Sequence, residues 1–564
     1  LSRHRWKLHP PVPGEFLAKL DAYPALLVQL LYNRGITDSA QIEPFLRADR
    51  RLLLNPFSLP DMDKASARIY QALLSGEKIA VYGDFDADGI CGTALLVQGL
   101  SLLGGRVVPY IPHRLEEGHG LNHTALERLR QQGVTLVITV DCGITSFSEV
   151  ERAKKAGLDI IITDHHSPPS QLPRALAVLD PKRAECAYPF PELAGVGVAF
   201  KLLQGLFQIL GRENQLDKFL DLVAVGTVAD MTPLVAENRY LVKQGLKVLN
   251  ETERIGLQQL VSRAGLHLGG INVEDISWIL GPRLNAAGRL EHAITSYNLL
   301  MTHSPEEAQS LARELEQKNA QRQKLVGEVL AQAREQLWGK GGDSLLLLVK
   351  GEDFPPGVVG LVASRLAEEF YRPAIVLQVS GKRVRGSARS IPEFDIIAAL
   401  LDCQELLSRA GGHPRAAGFS LPAENLTILE QRLLQRAQAQ LAHLDLRPEL
   451  VIDAEISLSS LSEELLQLVE RLAPFGQGNP PPAFLSREVR VLECRSVGSK
   501  GEHLKMKFEA EGKEWHGIGF DLGHLITQVA SRVDIVYTLE IDHRGGKETL
   551  QLHLLDFAPS SREL

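Results

Sequence analysis

Between Lys78 and Leu179, short runs rich in β-branched residues alternate with helical patterns. The runs are Lys78–Tyr82, Arg106–Ile111, Val134–Val140, Leu158–Thr163 and Ala175–Leu179. Helical patterns such as Gly92–Leu103, Thr124–Gln131 and Glu149–Ala156 lie between them. Successive parallel strands need a long crossover, and a helix supplies it, so this rhythm predicts a parallel sheet with helices on its faces. In such sheets ligands gather beyond the carboxyl ends of the strands.

Those ends carry acids and histidines. The first run leads into Gly83-Asp84-Phe85-Asp86-Ala87-Asp88-Gly89. The run Val134–Val140 ends at Asp141, and Leu158–Thr163 ends at Asp164-His165-His166. Further on, the apolar segment Leu222–Ala229 ends at Asp230 and is read as presenting that acid to the same edge. A capped, solvated turn would account for any one of these, and Asp141 and Asp164 could each cap the next helix. Together they form a set whose mutual repulsion calls for cations. The D-x-D-x-D-G spacing also opens a calcium loop, but that loop needs a preceding helix and a Glu at its twelfth position, where this chain has Leu95. Aspartate and histidine without cysteine suit Mn2+ or Mg2+. A cluster of this size can bridge two ions, which in phosphodiester hydrolysis activate water and stabilise the leaving oxygen.

Composition sets the frame. The chain has 564 residues, enough for about three or four domains. Its hydrophobic content of 44% and charged content of 23% are those of a folded globular protein. No apolar run approaches the ~18 residues of a membrane helix, and Leu1–Pro10, though basic, lacks the apolar segment of a signal peptide. A net charge of −8 argues against non-specific coating of nucleic acid but leaves room for a local basic groove. The five cysteines (Cys91, Cys142, Cys186, Cys403 and Cys494) are unpaired in spacing, which argues against a disulfide framework or a zinc–cysteine site and points to a reducing cytoplasm.

The expected organisation is a helical N-terminal segment (1–55), a catalytic α/β domain with the parallel sheet (56–303), a long connecting helix (304–340), a second α/β domain (341–445) and a small barrel (446–564). Ser304-Pro305-Glu306-Glu307 starts the helix well, and Gly339-Lys340-Gly341-Gly342 ends it. The second α/β domain opens with strand Ser344–Val349, helix Val359–Phe370 and strand Ala374–Val379. The runs Glu488–Cys494, Leu504–Phe508, Trp515–Gly519, Asp534–Ile541 and Thr549–Leu555 suggest an OB-like barrel. The stretch Gly381-Lys382-Arg383-Val384-Arg385-Gly386-Ser387-Ala388-Arg389-Ser390 is basic, free of acids and suited to a terminal phosphate. No G-x-G-x-x-G, Walker loop or G-x-S-x-G elbow is present. Phe85, Tyr110, Phe354 and Phe394 are available for base stacking but read better as core.

The order DFDADG, DCG, DHH, GTVAD resembles the DHH phosphoesterase superfamily, and within it the RecJ branch of single-strand-specific 5′→3′ DNA exonucleases. Leu193–Phe200 (LAGVGVAF), Gly281–Arg289 (GPRLNAAGR), Gly411–Gly418 (GGHPRAAG) and Pro474–Pro480 (PFGQGNP) carry the resemblance further. The resemblance implies two α/β lobes, DHH and DHHA1-like, joined by a long helix, with a C-terminal OB-like barrel. It also implies a two-ion centre held by Asp86, Asp88, Asp141, His165 and Asp230, with Asp141 as the bridge and Asp84 beside it. Asp164 would orient the histidines, and His166 would lie at the reacting phosphate. Tyr82 stands where some members have a histidine ligand. Ser387 and Arg389 would hold the 5′ end together with Arg114. Arg283 and Arg289 would meet phosphates near the metals, and His413 would meet another. Implied partners are single-stranded DNA, a single-strand-binding protein and recombination helicases, in repair and recombination. The rival readings are a phosphodiesterase for short oligonucleotides or cyclic dinucleotides, and a catalytically silent replication scaffold.

Overall fold

The computed structural model describes residues 2–114, 116–339, 344–542 and 549–560. Lys340, Gly341 and Gly342, expected to end the connecting helix, lie outside the described residues. The chain divides into two compact units, one of residues 1–55, 231–244 and 447–564, the other of residues 56–230 and 245–446.

The second unit holds both α/β sheets. In the first sheet, strands run in the order Arg106–Tyr110, Lys78–Gly83, Val134–Val140, Asp159–Thr163 and Ala177–Leu179, all parallel. Helices His123–Gln131 and Phe147–Lys155 bury Leu126, Leu129, Val150 and Ala153 with Val137, Ile160 and Ile162 of the sheet. Helix Ala87–Leu102 packs against Val140 and helix Gly195–Ile209 so closely that a Cβ on Gly92 would lie 2.5 Å from Val140 Cγ1. It is buried along most of its length, and its small residues permit that approach.

One expectation is corrected here. The segment ending at Asp230 is a helix, Leu220–Ala229, with no strand in it. Apart from Asp221, which pairs with Arg254, and Thr227, its residues are apolar or glycine and nearly all are buried, and so apolar a run of this length cannot be told from a strand by periodicity. Asp230 therefore reaches the site from a helix C-terminus.

The expected long helix spans Pro305–Gly339, capped by Ser304 Oγ, which accepts from the Glu307 amide at 3.2 Å. Its first half buries Ala308, Ala312 and Leu315, and its second half buries Val329, Ala333 and Leu337 with Val349, Val362 and Leu366 of the second α/β domain. The sheet there has the order Arg409–His413, Ala416–Pro422, Arg383–Arg389, Ala374–Ser380 and Leu347–Gly351, with only the last pair parallel.

In the first unit, strands Phe484–Val497, His503–Ala510, Lys513–Gly519, Thr549–Pro559 and Arg532–Asp542 neighbour one another in that order, and the last pairs back with the first. In chain order this is 1-2-3-5-4-1, a closed OB-type barrel. Its core is shared with the N-terminal helices through Leu27, Leu30, Leu31 and Ile42. The N-terminal strand Arg5–Leu8, which the sequence did not announce, pairs in parallel with Glu449–Ile452. Arg239 is fully buried, donating to the carbonyls of Phe45 (2.7 Å), Leu472 (2.8 Å) and Ala473 (2.7 Å). The PFGQGNP stretch is structural here, with Asn479 Nδ2 donating to the Leu472 and Pro474 carbonyls at 2.9 and 2.8 Å. Among the described residues no helix is long and apolar enough to cross a membrane, and the cysteines are free thiols.

Candidate metal centre and anion pocket

Each central strand end of the parallel sheet contributes an acid, and local geometry aims it. Asp86 caps helix Ala87–Leu102, with one carboxylate oxygen accepting from the amides of Asp88 (3.0 Å) and Gly89 (3.1 Å). Asp88, in the first turn, is buried and accepts from the Gly195 and Val196 amides at 2.6 and 2.8 Å. Those amides open helix Gly195–Ile209, whose positive end favours a carboxylate. Asp141 takes a left-handed backbone (φ 61°) and its side chain lies at the same helix start. A Cβ on Gly195 would lie 2.5 Å from Asp141 Cβ, so this approach requires glycine at 195.

Three groups of donor atoms lie within 4.8 Å of one another: Asp84, Asp86 and Asp141; Asp88, His165 and Asp230; Asp141, His165 and His166. Asp141 and His165 each belong to two groups, which places Asp141 between two potential ion positions. A divalent pair fits these residues. Asp141 Oδ1 and His165 Nδ1 are buried without a hydrogen bond, although His165 Nε2 is 3.0 Å from Asp141, and buried Asp84 Oδ1 is likewise without one, with His119 Nδ1 facing it at 3.2 Å. Burial and then the neighbouring carboxylates push Asp88 up to about 7, and raise Asp141 and Asp230 well above the usual carboxylate range. Burial likewise raises Asp84. His165 is pushed down to about 4 by burial and by His166, which leaves it neutral and able to ligate. Oxygen and imidazole donors without thiolate suit Mn2+ or Mg2+.

Two further histidines flank the cluster, each set against its own aspartate. Asp164 accepts from the amides of Ile144 (2.9 Å), His165 (2.8 Å) and His166 (3.1 Å), and lies 2.7 Å from His166 Nδ1. Burial opposes its charge, but His166 and these amides hold it far below the usual range. His119 Nδ1 lies 3.2 Å from Asp84 Oδ1. Burial disfavours the imidazolium there, yet Asp84 lifts His119 to about 9. His119 escaped the sequence reading. Its signal was the Gly118-His119-Gly120 triplet, whose glycines both take positive φ (80° and 89°). Asp180 was also missed, though it follows a recognised strand. It is buried, and burial raises it to about 7.

The expected arginines divide. Arg114, Arg289 and Arg389 lie near enough for their charges to act on one another, and none forms an ion pair among the described residues. Burial first, and Arg114 next, lower Arg389 and bring Arg289 down to about 9. Arg389 Nη1 is 3.3 Å from Ser387 Oγ, and Arg114 stacks over Phe85 at 4.7 Å. The first turn of helix Val359–Phe370 abuts both Ser387 and Arg389, since a Cβ on Gly360 would lie 3.1 Å from Ser387 Oγ and 3.3 Å from Arg389 Nη2. Guanidiniums without an ion pair among the described residues, a hydroxyl and a helix N-terminus together could hold an anion. Arg283 does not join them. Its Nε donates to Glu316 on the long helix at 2.6 Å and its Nη1 to the Ile279 carbonyl at 2.8 Å. Arg283 and Arg289 looked equivalent in sequence, but the helix they share turns the two in different directions. His413 sits at a hairpin end, largely exposed, and its pKa is lowered by its partial burial and by the charges of His166 and Lys182. Phe354 and Phe394 are core residues, and Tyr110 stacks on Tyr82 at 4.9 Å.

Residues 78–227 match the DHH family, N-terminal domain, residues 343–441 the DHHA1 domain, and residues 452–556 the RecJ OB domain. The chain is 38% identical over 570 residues to the single-stranded-DNA-specific exonuclease RecJ of Bacillus subtilis, spanning 100% of this chain and 72% of that protein. It is 34% identical over 560 residues to the Escherichia coli protein of the same name, spanning 94% and 95%. The crystal structure of RecJ from Thermus thermophilus in complex with Mn2+ superposes with a TM-score of 0.85 at 30% identity, over 99% of this chain and 80% of that one. The Mg2+ complex of the same protein gives 0.80 at 29% identity, over 99% and 78%.

Proposed function

Because the chain belongs to the RecJ family of the DHH phosphoesterases, we propose that it is a metal-dependent exonuclease that removes mononucleotides from the 5′ end of single-stranded DNA. The observation that carries this is one arrangement in one unit: paired donor clusters sharing Asp141, beside guanidiniums without acid partners. Asp84, Asp86, Asp88, Asp141, His165 and Asp230 would hold two Mn2+ or Mg2+ ions. Such ions, when bound, supply an activated water and neutralise charge on the leaving oxygen. The chain's own residues do the remaining work. Asp164 fixes His166 with one ring nitrogen inward, so the other meets a phosphate oxygen. Arg114, Arg289, Arg389 and Ser387 hold the 5′-terminal phosphate, which sets the cut one nucleotide in. The water oxygen bonds to phosphorus, the bond to the 3′-oxygen breaks, and that oxygen leaves with a proton. The OB-type barrel is itself a fold suited to binding single strands. The same reading extends to repair and recombination, with a single-strand-binding protein and helicases as suppliers of the substrate.

The test is one oligonucleotide labelled at its 5′ end in one tube and its 3′ end in another, with Mn2+. The expected result is immediate release of labelled mononucleotide from the first and gradual shortening in the second. Asp141→Ala should lower the rate at least about a thousandfold, as loss of a unit of the catalytic constellation does. Turnover of two- or three-nucleotide substrates alone would overturn the reading in favour of a short-oligonucleotide phosphodiesterase.

A further inference from the structure

The loop after strand Arg106–Tyr110 brings His119 to the metal cluster, and three contacts fix it there. Its Nδ1 faces Asp84 at 3.2 Å. Its ring meets the Phe85 ring edge-on at 6.4 Å, and Phe85 belongs to the same acidic turn as Asp84. The next residue, Gly120, is pinned from below, where the buried Tyr82 hydroxyl donates to its carbonyl at 3.1 Å and accepts from Asn122 Nδ2 at 3.1 Å. The two left-handed glycines let the backbone turn out and back, so a single side chain is presented.

His119 remains 43% exposed, and among the described residues its Nε2 has no partner. Its ring lies 5.2 Å from that of His166, which is 37% exposed and hydrogen-bonded to Asp164 at 2.7 Å. Two partly exposed imidazoles, each with Nδ1 facing an aspartate, thus stand side by side at the cluster. Among the described residues, none of the donor groups able to hold an ion includes His119. A spacing of this order lets two N–H donors reach different oxygens of one phosphate.

We propose that His119 is a second histidine contact to the scissile phosphate, its ring set between Asp84 and Phe85 and its open Nε2 edge meeting a non-bridging oxygen. The proposal rests on the reading of the site as a phosphodiester hydrolase. Its chemistry is that of a preorganised donor, which contributes most where charge develops in the transition state.

The experiment uses the full chain with Mn2+ and a 5′-phosphorylated single strand, and compares His119→Ala, His119→Gln and His119→Asn. Gln places an amide N–H near the Nε2 position, and Asn places one near Nδ1. His119→Ala should lower kcat about a hundredfold with KM and calorimetric Mn2+ affinity within about threefold of wild type, and Gln, not Asn, should restore about tenfold. The rate penalty for sulfur at a non-bridging oxygen of the scissile phosphate should shrink in His119→Ala. An unchanged kcat, a Mn2+ affinity that falls in step with kcat, or rescue by Asn instead of Gln would overturn the proposal. Wild-type protein that cuts neither long nor short strands would overturn it together with the hydrolase reading. Wild-type activity with a silent His119→Ala would overturn His119 alone.

Discussion

Asp86 caps a helix and joins a cluster of potential ion ligands with the same carboxylate. The two readings of the acidic turn were therefore never exclusive, since a cap uses one oxygen and leaves the other. The acids were legible because strand-end position is a sequence property once the strands are recognised. His119 was not, because it lies in a loop whose path no periodicity reveals. The buried charges also set a pH dependence for the metal-free protein. His119 is lifted to about 9, so the stability it contributes is present below its unfolded value near 6.5 and lost as pH rises through 9. Asp88, raised from 3.8 to about 7, holds a proton that the unfolded chain has already released, so its contribution is also lost as pH climbs through 7. His165 acts in the opposite direction, but only between about 4 and 6.5. The melting temperature without metal should thus fall from about pH 6.5 to about pH 9, by about 2–4 °C for each kcal/mol lost. Mn2+ should raise it more at about pH 8 than at about pH 6.5, because protons compete for the same carboxylates. Scanning calorimetry with and without chelator checks both, and a flat or rising metal-free profile would refute the assignment.

The elements were better announced than their directions. Helix Val359–Phe370 and strand Val134–Val140 have the boundaries that the pattern predicts. The segment before Asp230 did not follow its predicted type, because packing on every side erases the periodicity that distinguishes helix from strand. Arg283 and Arg289 share one short helix, yet one braces the long helix and the other lies within reach of the charges of Arg114 and Arg389. Which arginine does which depends on where the long helix passes, and that is a tertiary fact. Arg283→Ala should accordingly lower stability by about 1–2 kcal/mol, in the range of a partly buried, hydrogen-bonded ion pair, and leave KM within about twofold. Urea unfolding and steady-state kinetics separate the two, and a KM rise without a stability loss would return Arg283 to the substrate.

A net charge of −8 conceals the arginine cluster, because the sum says nothing of where three guanidiniums lie together without an ion pair among the described residues. Binding of a single strand should nonetheless weaken with salt. Arg389→Ala should reduce the log–log slope by about 0.7, the share of one phosphate on a single strand, and cut the preference for a 5′-phosphorylated over a hydroxyl end about tenfold. Equal slopes, or an unaltered end preference, would remove Arg389 from the pocket. The barrel was legible from its strands, but its completion by the N-terminal helices was not, since partners so far apart in sequence leave no local signal. That shared core has a temporal consequence. On the ribosome, Leu27, Leu30 and Ile42 emerge roughly 400 residues before Leu466 and Phe484, a wait of roughly 20–80 s at ordinary translation rates. The nascent chain carries an apolar helix pair through that interval, a natural client for a holding chaperone, while most of the unit bearing the metal centre is already made.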